Sequence, residues 1–319
     1  MRVLIGYDGS EYSDAAIEDL KKAGLPRDGK AIVVSVADLL MSSPELSAAN
    51  GSSITSRRVA SGLRKAQDHA SRVTNEAHDA AKQAKKRVQK LFPEWEVESE
   101  VMVGSPGWVL VDRAKEWKAD LVVVGSQGRT ALKRLFLGSV SRRVLSEASC
   151  SVRVVRTQPR SRNDDPPRII IGVDGSPAAE QAIYGVGQRV WPAGTEVRLV
   201  SVDDSTPTTQ IISRLPQATA MINSYYRKRE SRISAMLKWA TKGLSAIGIE
   251  SSVVTLEGEA KTILLRQARE WNADCIFVGT RDFKSSFERF RLGSVSTGLA
   301  TSASCSVEVV RPFLRMTIW

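Results

Sequence analysis

The succession of apolar runs and amphipathic stretches along this chain predicts strands and helices in regular alternation. Short apolar runs, several of them rich in valine and isoleucine, fall near 2–7, 31–36, 96–102, 120–124 and 151–155. Runs of this kind suit strands covered by helices on both faces. The stretch between them at 56–92 is rich in Ala, Lys, Arg and Gln and meets no proline until Pro93. It reads as one extended amphipathic helix. The order strand, helix, strand, long helix, strand, helix, strand, helix, strand implies a doubly wound α/β fold with a five-stranded parallel sheet flanked by helices.

The pattern then recurs. Val3-Leu4-Ile5-Gly6-Tyr7-Asp8-Gly9-Ser10 returns as Ile169-Ile170-Ile171-Gly172-Val173-Asp174-Gly175-Ser176, and the stretch 114–156 returns as 268–311. A repeat of this length means two copies of one structural unit in tandem. The offset between copies is 166 residues at Gly6/Gly172, 154 at Gly125/Gly279 and 155 at Gly138/Gly293. The second copy is therefore shorter in its middle and one residue longer in its glycine loop. Residues 157–167, with Pro159, Pro166 and Pro167 among polar neighbours, read as an extended linker. The expected division is a unit at 1–156, the linker at 157–167, a second unit at 168–311 and a tail at 312–319.

The sharpest chemical motif follows the fourth strand. Gly125-Ser126-Gln127-Gly128 is separated by nine residues from Gly138-Ser139, which opens a helix reaching Ala148. In a parallel sheet, ligands bind beyond the carboxyl ends of the strands. A helix start there offers unpaired N–H groups and the positive end of its dipole. Glycines let the backbone approach phosphate oxygens with no Cβ in the way. The Ser139 hydroxyl can add a hydrogen bond, and Arg129, Lys133, Arg134, Arg142 and Arg143 lie close enough in sequence to offset phosphate charge. No GxxxxGK[ST] loop and no GxGxxG fingerprint occurs. Asp8, ending the first strand, suits an Asx turn with Gly9 and Ser10, and it faces the same crevice as the glycine loop.

With these features the chain resembles a tandem universal stress protein over nearly all of both copies. The resemblance implies an adenine-nucleotide-binding, regulatory role. In that family Gly-x2-Gly-x9-Gly-(Ser/Thr) marks members that bind ATP, and Gly125, Gly128, Gly138 and Ser139 match it without a gap. The resemblance carries Asp8 into the site, along with Arg129 and, in the first helical turn, Val140 and Ser141. Val36, at the end of the second strand, matches the family's backbone contact with adenine. The implied ligand is ATP, with any Mg2+ held through its phosphates. Family members pair the last strands of two domains, so Ser151–Arg156 and Ser306–Arg311 are expected to join within one chain as a pseudo-dimer, leaving a further homodimer open. The second copy departs from the motif: Gly279-Thr280-Arg281-Asp282 replaces Gly-x2-Gly, and ten residues separate Asp282 from Gly293. A carboxylate there repels phosphate, so one nucleotide per chain is expected.

Composition adjusts this picture only at its margins. The net charge of +11 favours anionic partners without choosing among them. The basic helix 56–92 lacks interleaved aromatic residues for base stacking, so a solvated face is expected there and not a nucleic-acid platform. No run is long and apolar enough to span a membrane, and the start reads as a strand instead of a leader, so a cytoplasmic location is expected. Cys150, Cys275 and Cys305 have no CxxC spacing and read as structural thiols. His69 and His78, nine residues apart, do not make a metal pair and are expected to face solvent. No catalytic base or triad stands out, so no catalytic residue is assigned. Slow ATP hydrolysis and a nucleotide-independent scaffold remain alternatives.

Overall fold

A computed structural model describes residues 1–39, 56–128, 137–156, 165–204, 216–280 and 293–311. The first half runs β1 (Arg2–Gly6), α1 (Glu11–Asp19), a 3-10 turn (Leu20–Lys22), β2 (Lys30–Ala37), α2 (Ser56–Leu91), β3 (Glu96–Val103), α3 (Pro106–Glu116), β4 (Leu121–Gly125), α4 (Ser139–Glu147) and β5 (Ser151–Val155). The second half repeats it as β6 (Arg168–Val173), α5 (Pro177–Gly187), β7 (Glu196–Asp203), α6 (Pro216–Ala246), β8 (Glu250–Glu257), α7 (Ala260–Glu270), β9 (Cys275–Gly279), α8 (Ser294–Ser302) and β10 (Ser306–Val310). The expected alternation and the long helix are both present.

All strands join one sheet in the order β3-β2-β1-β4-β5-β10-β9-β6-β7-β8. Among the described residues each half is parallel throughout, and the antiparallel pairing is β5 with β10. The two last strands thus pair within the chain, covering edges that would otherwise be exposed hydrogen-bonding templates. Strands β4, β5 and β10 are buried at every position: β4 is an unbroken apolar run, while β5 and β10 each bury one charged residue, Arg153 and Glu308, among valines. On one face of the sheet a single core crosses the junction, packing Leu110, Val144 and Leu145 together with Ile170, Leu264 and Leu299. On the other face each half keeps its own core. There α2 lays Ala77, Ala80, Ala81, Ala84 and Val88 inward, a three-four spacing that puts one stripe against the sheet.

The junction is ionic at its centre. Register sets Glu308 opposite Arg153, flanked by Val309 opposite Val152 and Val307 opposite Val154. Arg153 and Glu308 occupy equivalent places in the two copies, so the pseudo-twofold axis passes through this pair. Both are wholly buried. Arg153 Nη1 donates to Glu308 Oε2 at 3.1 Å and its Nε donates to Asp19, while Arg189 of the second half also pairs with Glu308. Around them Ser306 Oγ donates to Asp19 Oδ1 at 2.8 Å, and Lys22 Nζ pairs with Asp274 Oδ1 at 2.7 Å. Burial alone pulls the Arg153 pKa down, but the carboxylates of Asp19 and Glu308 outweigh it and hold the guanidinium protonated.

Size complementarity accompanies charge complementarity. Gly24 has φ +61°, and a Cβ there would lie 2.6 Å from the Trp191 ring of the other half. The Gly24 carbonyl accepts from Val190 N at 3.1 Å, and the Ala23 carbonyl accepts from Arg189 Nη1 at 2.6 Å. Gly24→Ala is expected to destabilise the protein by about 1–3 kcal/mol, from a left-handed backbone and an overpacked contact. A urea midpoint unchanged from wild type would show that Trp191 moves aside freely.

Candidate functional site

The carboxyl ends of β1 and β4 lie side by side at the point where the chain turns from β1 toward β2 on one flank, with β4 added on the other. This is the position where open α/β sheets form a ligand crevice. At the β1 end, Asp8 Oδ1 accepts from Ser10 N at 3.0 Å and from Ser10 Oγ at 2.6 Å. Gly9 takes φ 79° to close the turn, and Ser10 caps α1 by accepting from Ser13 N at 3.2 Å. Asp8 therefore makes the Asx turn, and its other carboxylate oxygen is directed to the glycine loop. A Cβ placed on Gly128 would lie 2.8 Å from Asp8 Oδ2, and the next contact among the described residues is Asp8 Cγ at 4.0 Å.

The three loop glycines have different physical reasons. At Gly125 a Cβ would strike the Tyr12 backbone at 2.7 Å, because α1 crosses tightly over the end of β4. Gly279 in the second half meets Ala178 O at 2.1 Å in the same way. Packing alone therefore accounts for a glycine at both positions. At Gly138 the nearest atom, Gln127 Cα, is 3.3 Å away, so the fit is tight but not forbidding. At Gly128 a Cβ would press on the Asp8 carboxylate at the crevice, so of the three glycines this is the one whose bare backbone lies against a charged side chain.

The start of α4 is fastened to the strand it follows. Ser126 N donates to Val155 O at 2.7 Å, Gly138 N donates to Ser126 O at 2.8 Å, and the buried Ser141 Oγ donates to Gly125 O at 2.6 Å. Gly138 is the extended N-cap and has no side chain with which to cap the helix. Ser139 is exposed and Val140 half-buried in the first turn, which holds no acidic residue. Val36 lies at the same edge of the sheet. The last rung between β1 and β2 is Tyr7 N to Val34 O at 3.0 Å, and beyond it Val36 pairs with Met102 of β3.

The structure thus brings Asp8, Val36, Gly125, Gly128, Gly138, Ser139, Val140 and Ser141 to one edge of the first half. Arg129, Lys133 and Arg134 lie outside the described residues. Of the other two cations, Arg142 Nη2 donates to Leu137 O at 3.4 Å, and Arg143 sits 4.4 Å over the exposed Trp108 ring. The turn residue Ser10 is legible in the sequence; Ser35 is not, and its hydroxyl donates to Tyr7 O at 2.7 Å and steadies the end of β1. A small hydroxyl residue in a strand gives no signal by itself.

The second crevice repeats the frame with different details. Asp174 Oδ1 accepts from Ser176 N at 2.9 Å, and Thr280 N donates to Val310 O at 3.2 Å. Ser296, the counterpart of Ser141, donates to Gly293 O at 3.2 Å, within its own turn. Arg229 of α6 pairs with Asp204 at 2.8 Å and also feels Asp203 and Asp174. Arg281 and Asp282 lie outside the described residues.

Among the described residues no group of three or more His, Cys, Asp or Glu is arranged to hold a metal ion, and no helix is long and apolar enough to cross a membrane. His78 is exposed and His69 is half-buried. Cys275 and Cys305 are buried and Cys150 is partly so. Burial pushes Cys150 up to about 11 and Cys305 up to about 12, and raises Cys275 well above the ordinary range. Thiolate is the reactive form, so all three thiols are expected to resist a disulfide reagent at about pH 8 in the native protein, Cys150 yielding first on denaturation. Rapid native-state labelling of one thiol per chain would contradict this.

Two tandem, doubly wound α/β domains, one with a Gly-x2-Gly-x9-Gly-Ser loop beside an aspartate, define the class of the fold. The model of the Universal stress protein family matches the chain twice, at 1–156 and 167–311. The chain belongs to that family, with two of its domains in tandem. A universal stress protein of Mycobacterium tuberculosis H37Rv is 34% identical over 216 residues, 67% of this chain and 69% of that protein. One from Mycolicibacterium smegmatis is 29% identical over 245 residues, covering 74% and 77%. One from Methanocaldococcus jannaschii is 40% identical over 80 residues, 24% of this chain and 47% of its own length. The crystal structure of a universal stress protein from Archaeoglobus fulgidus superposes with a TM-score of 0.65 at 20% identity, covering 97% of this chain and 98% of that one.

Proposed function

We propose that the first half, residues 1–156, is an ATP-binding regulatory unit and that the second, 168–311, serves as its intramolecular partner. The observation that carries this reading is the close approach of Gly128 to the Asp8 carboxylate at the carboxyl ends of β1 and β4. The N-terminus of α4 begins from a glycine cap. Backbone N–H groups at such a helix start favour phosphate oxygens, and the dipole adds to the attraction. In this reading Asp8 accepts from ribose hydroxyls and Val36 supplies backbone groups to adenine, while Gly125 and Ser141 support the position of α4. Arg129 enters the proposal from its place in the loop sequence. Any Mg2+ is carried by the phosphates themselves.

Equilibrium dialysis of the full chain with a labelled, non-hydrolysable ATP analogue tests this. The expected result is one nucleotide per chain. No saturable binding overturns the proposal, and two equivalent nucleotides overturn the asymmetry between the halves.

A further inference from the structure

Arg311 and its counterpart Arg156 make a reciprocal exchange across the junction. Arg311 follows β10 in the second half and is 2% exposed. Its guanidinium donates to Leu145 O, in the last turn of α4, and to Cys150 O at 3.0 Å, just beyond that helix. Its backbone N–H donates to Ser151 Oγ at 3.2 Å. Arg156 of the first half donates to Ala300 O at 2.9 Å and to Thr301 O, in the last turn of α8. Each half therefore holds the carboxyl end of the other's short helix.

Those helices are the ones that begin at the glycine loops. Helix α4 spans nine residues, Ser139–Glu147, or roughly 14 Å at 1.5 Å per residue. Its own half grips the first turn through Ser141 to Gly125 O, and the other half grips the last turn through Arg311. A helix this short has no interior to absorb a tilt, so a shift at one end is felt at the other. A cation at the carboxyl end satisfies carbonyls left without helical partners and complements the dipole. Burial lowers the Arg311 pKa to about 10, which still leaves it charged at neutral pH.

We propose that Arg311, supplied by the second half, is a positioning residue for nucleotide binding in the first half, acting through α4. The inference rests on the ATP-binding reading above. It gives the second half a role in binding that does not require a nucleotide of its own. By the reciprocity of linkage, nucleotide bound at the start of α4 must in turn tighten the contact at its end.

The test uses the full chain and the labelled ATP analogue. Arg311→Gln is expected to weaken binding by about tenfold, within the usual span of coupling between sites. Arg311→Lys should recover most of the loss, because its ammonium restores the charge and has donors for the same carbonyls. Arg156→Gln disturbs the same junction but leaves α4 held, so it should bind like wild type. Binding by Arg311→Gln equal to wild type overturns the proposal, as does an equal loss in Arg156→Gln, which would mean that junction stability is all that matters. If Arg311→Gln does not fold, amide exchange in the wild-type chain decides: added nucleotide should slow exchange at 144–151 and 306–311, and no slowing at 306–311 overturns it. A wild-type chain that binds no analogue instead refutes the underlying ATP-binding reading.

Discussion

Replacing Arg153 by glutamate is expected to destabilise the protein by about 3–5 kcal/mol or more, the cost of leaving a buried charge without its partner. The substitution would set a carboxylate beside Asp19 and Glu308, with no water to screen them, since Arg153 and Glu308 are wholly buried. Total stabilities are usually only about 5–15 kcal/mol, so the variant should unfold at markedly lower urea or remain insoluble. Arg153→Met should cost less. It keeps apolar volume against Phe277, while Glu308 retains Arg189 and Asp19 retains the Ser306 hydroxyl. Swapping both charges, Arg153→Glu with Glu308→Arg, should restore only part of the loss, because Asp19 and Arg189 stay placed for the original polarity. A wild-type urea midpoint for Arg153→Glu would sink the view that this pair organises the junction.

The same pair bears on self-association. Joining two first halves through this edge would bury arginine against arginine, and joining two second halves would bury glutamate against glutamate. Gly24 and Trp191 add a steric version of the same preference. Charge and shape therefore favour the pairing of unlike halves.

Gly128→Asp should abolish nucleotide binding, with a loss of at least about 100-fold, or ~2.7 kcal/mol. Two effects combine. Any Cβ at 128 falls 2.8 Å from Asp8 Oδ2, so the turn or the loop must shift. The added carboxylate also brings a negative charge into the glycine loop that is proposed to hold the phosphates, a repulsion of about 1–4 kcal/mol at 4 Å in a partly wet site. Gly128→Ala, which adds the Cβ alone, should lose less and so separates crowding from charge. Gly125→Ala should behave differently again. Its Cβ meets the Tyr12 backbone, so it should destabilise the fold first and affect binding as a consequence. Titrations with the labelled ATP analogue, read beside urea midpoints, distinguish the three. Wild-type affinity in Gly128→Asp would refute the placement of the phosphates.

By itself the sequence determined the succession of elements, the tandem repeat and the spacing of the glycine loop. These are local or periodic features, written in runs such as Leu121–Val124, in the long helix 56–91 and in motifs that recur at nearly constant offsets. It also indicated that β5 and β10 would meet, through family resemblance and the edges they would otherwise expose. Tertiary structure alone decided what each residue does at that meeting. Arg153 and Glu308 are the one difference between two otherwise matching five-residue strands, Ser-Val-Arg-Val-Val and Ser-Val-Glu-Val-Val, and in one dimension they look like interchangeable polar positions. Only the register, across 155 residues of separation, makes them a buried pair. The glycines divide the same way. The motif treats Gly125, Gly128 and Gly138 alike, but the approach of α1 accounts for Gly125 and the proximity of Asp8 for Gly128. The grip of Arg311 on α4 also lay beyond the sequence, because it joins the end of one half to a helix end in the other. Periodicity reports which side of an element is buried; which distant side chain meets it is fixed only when the two halves close into one sheet.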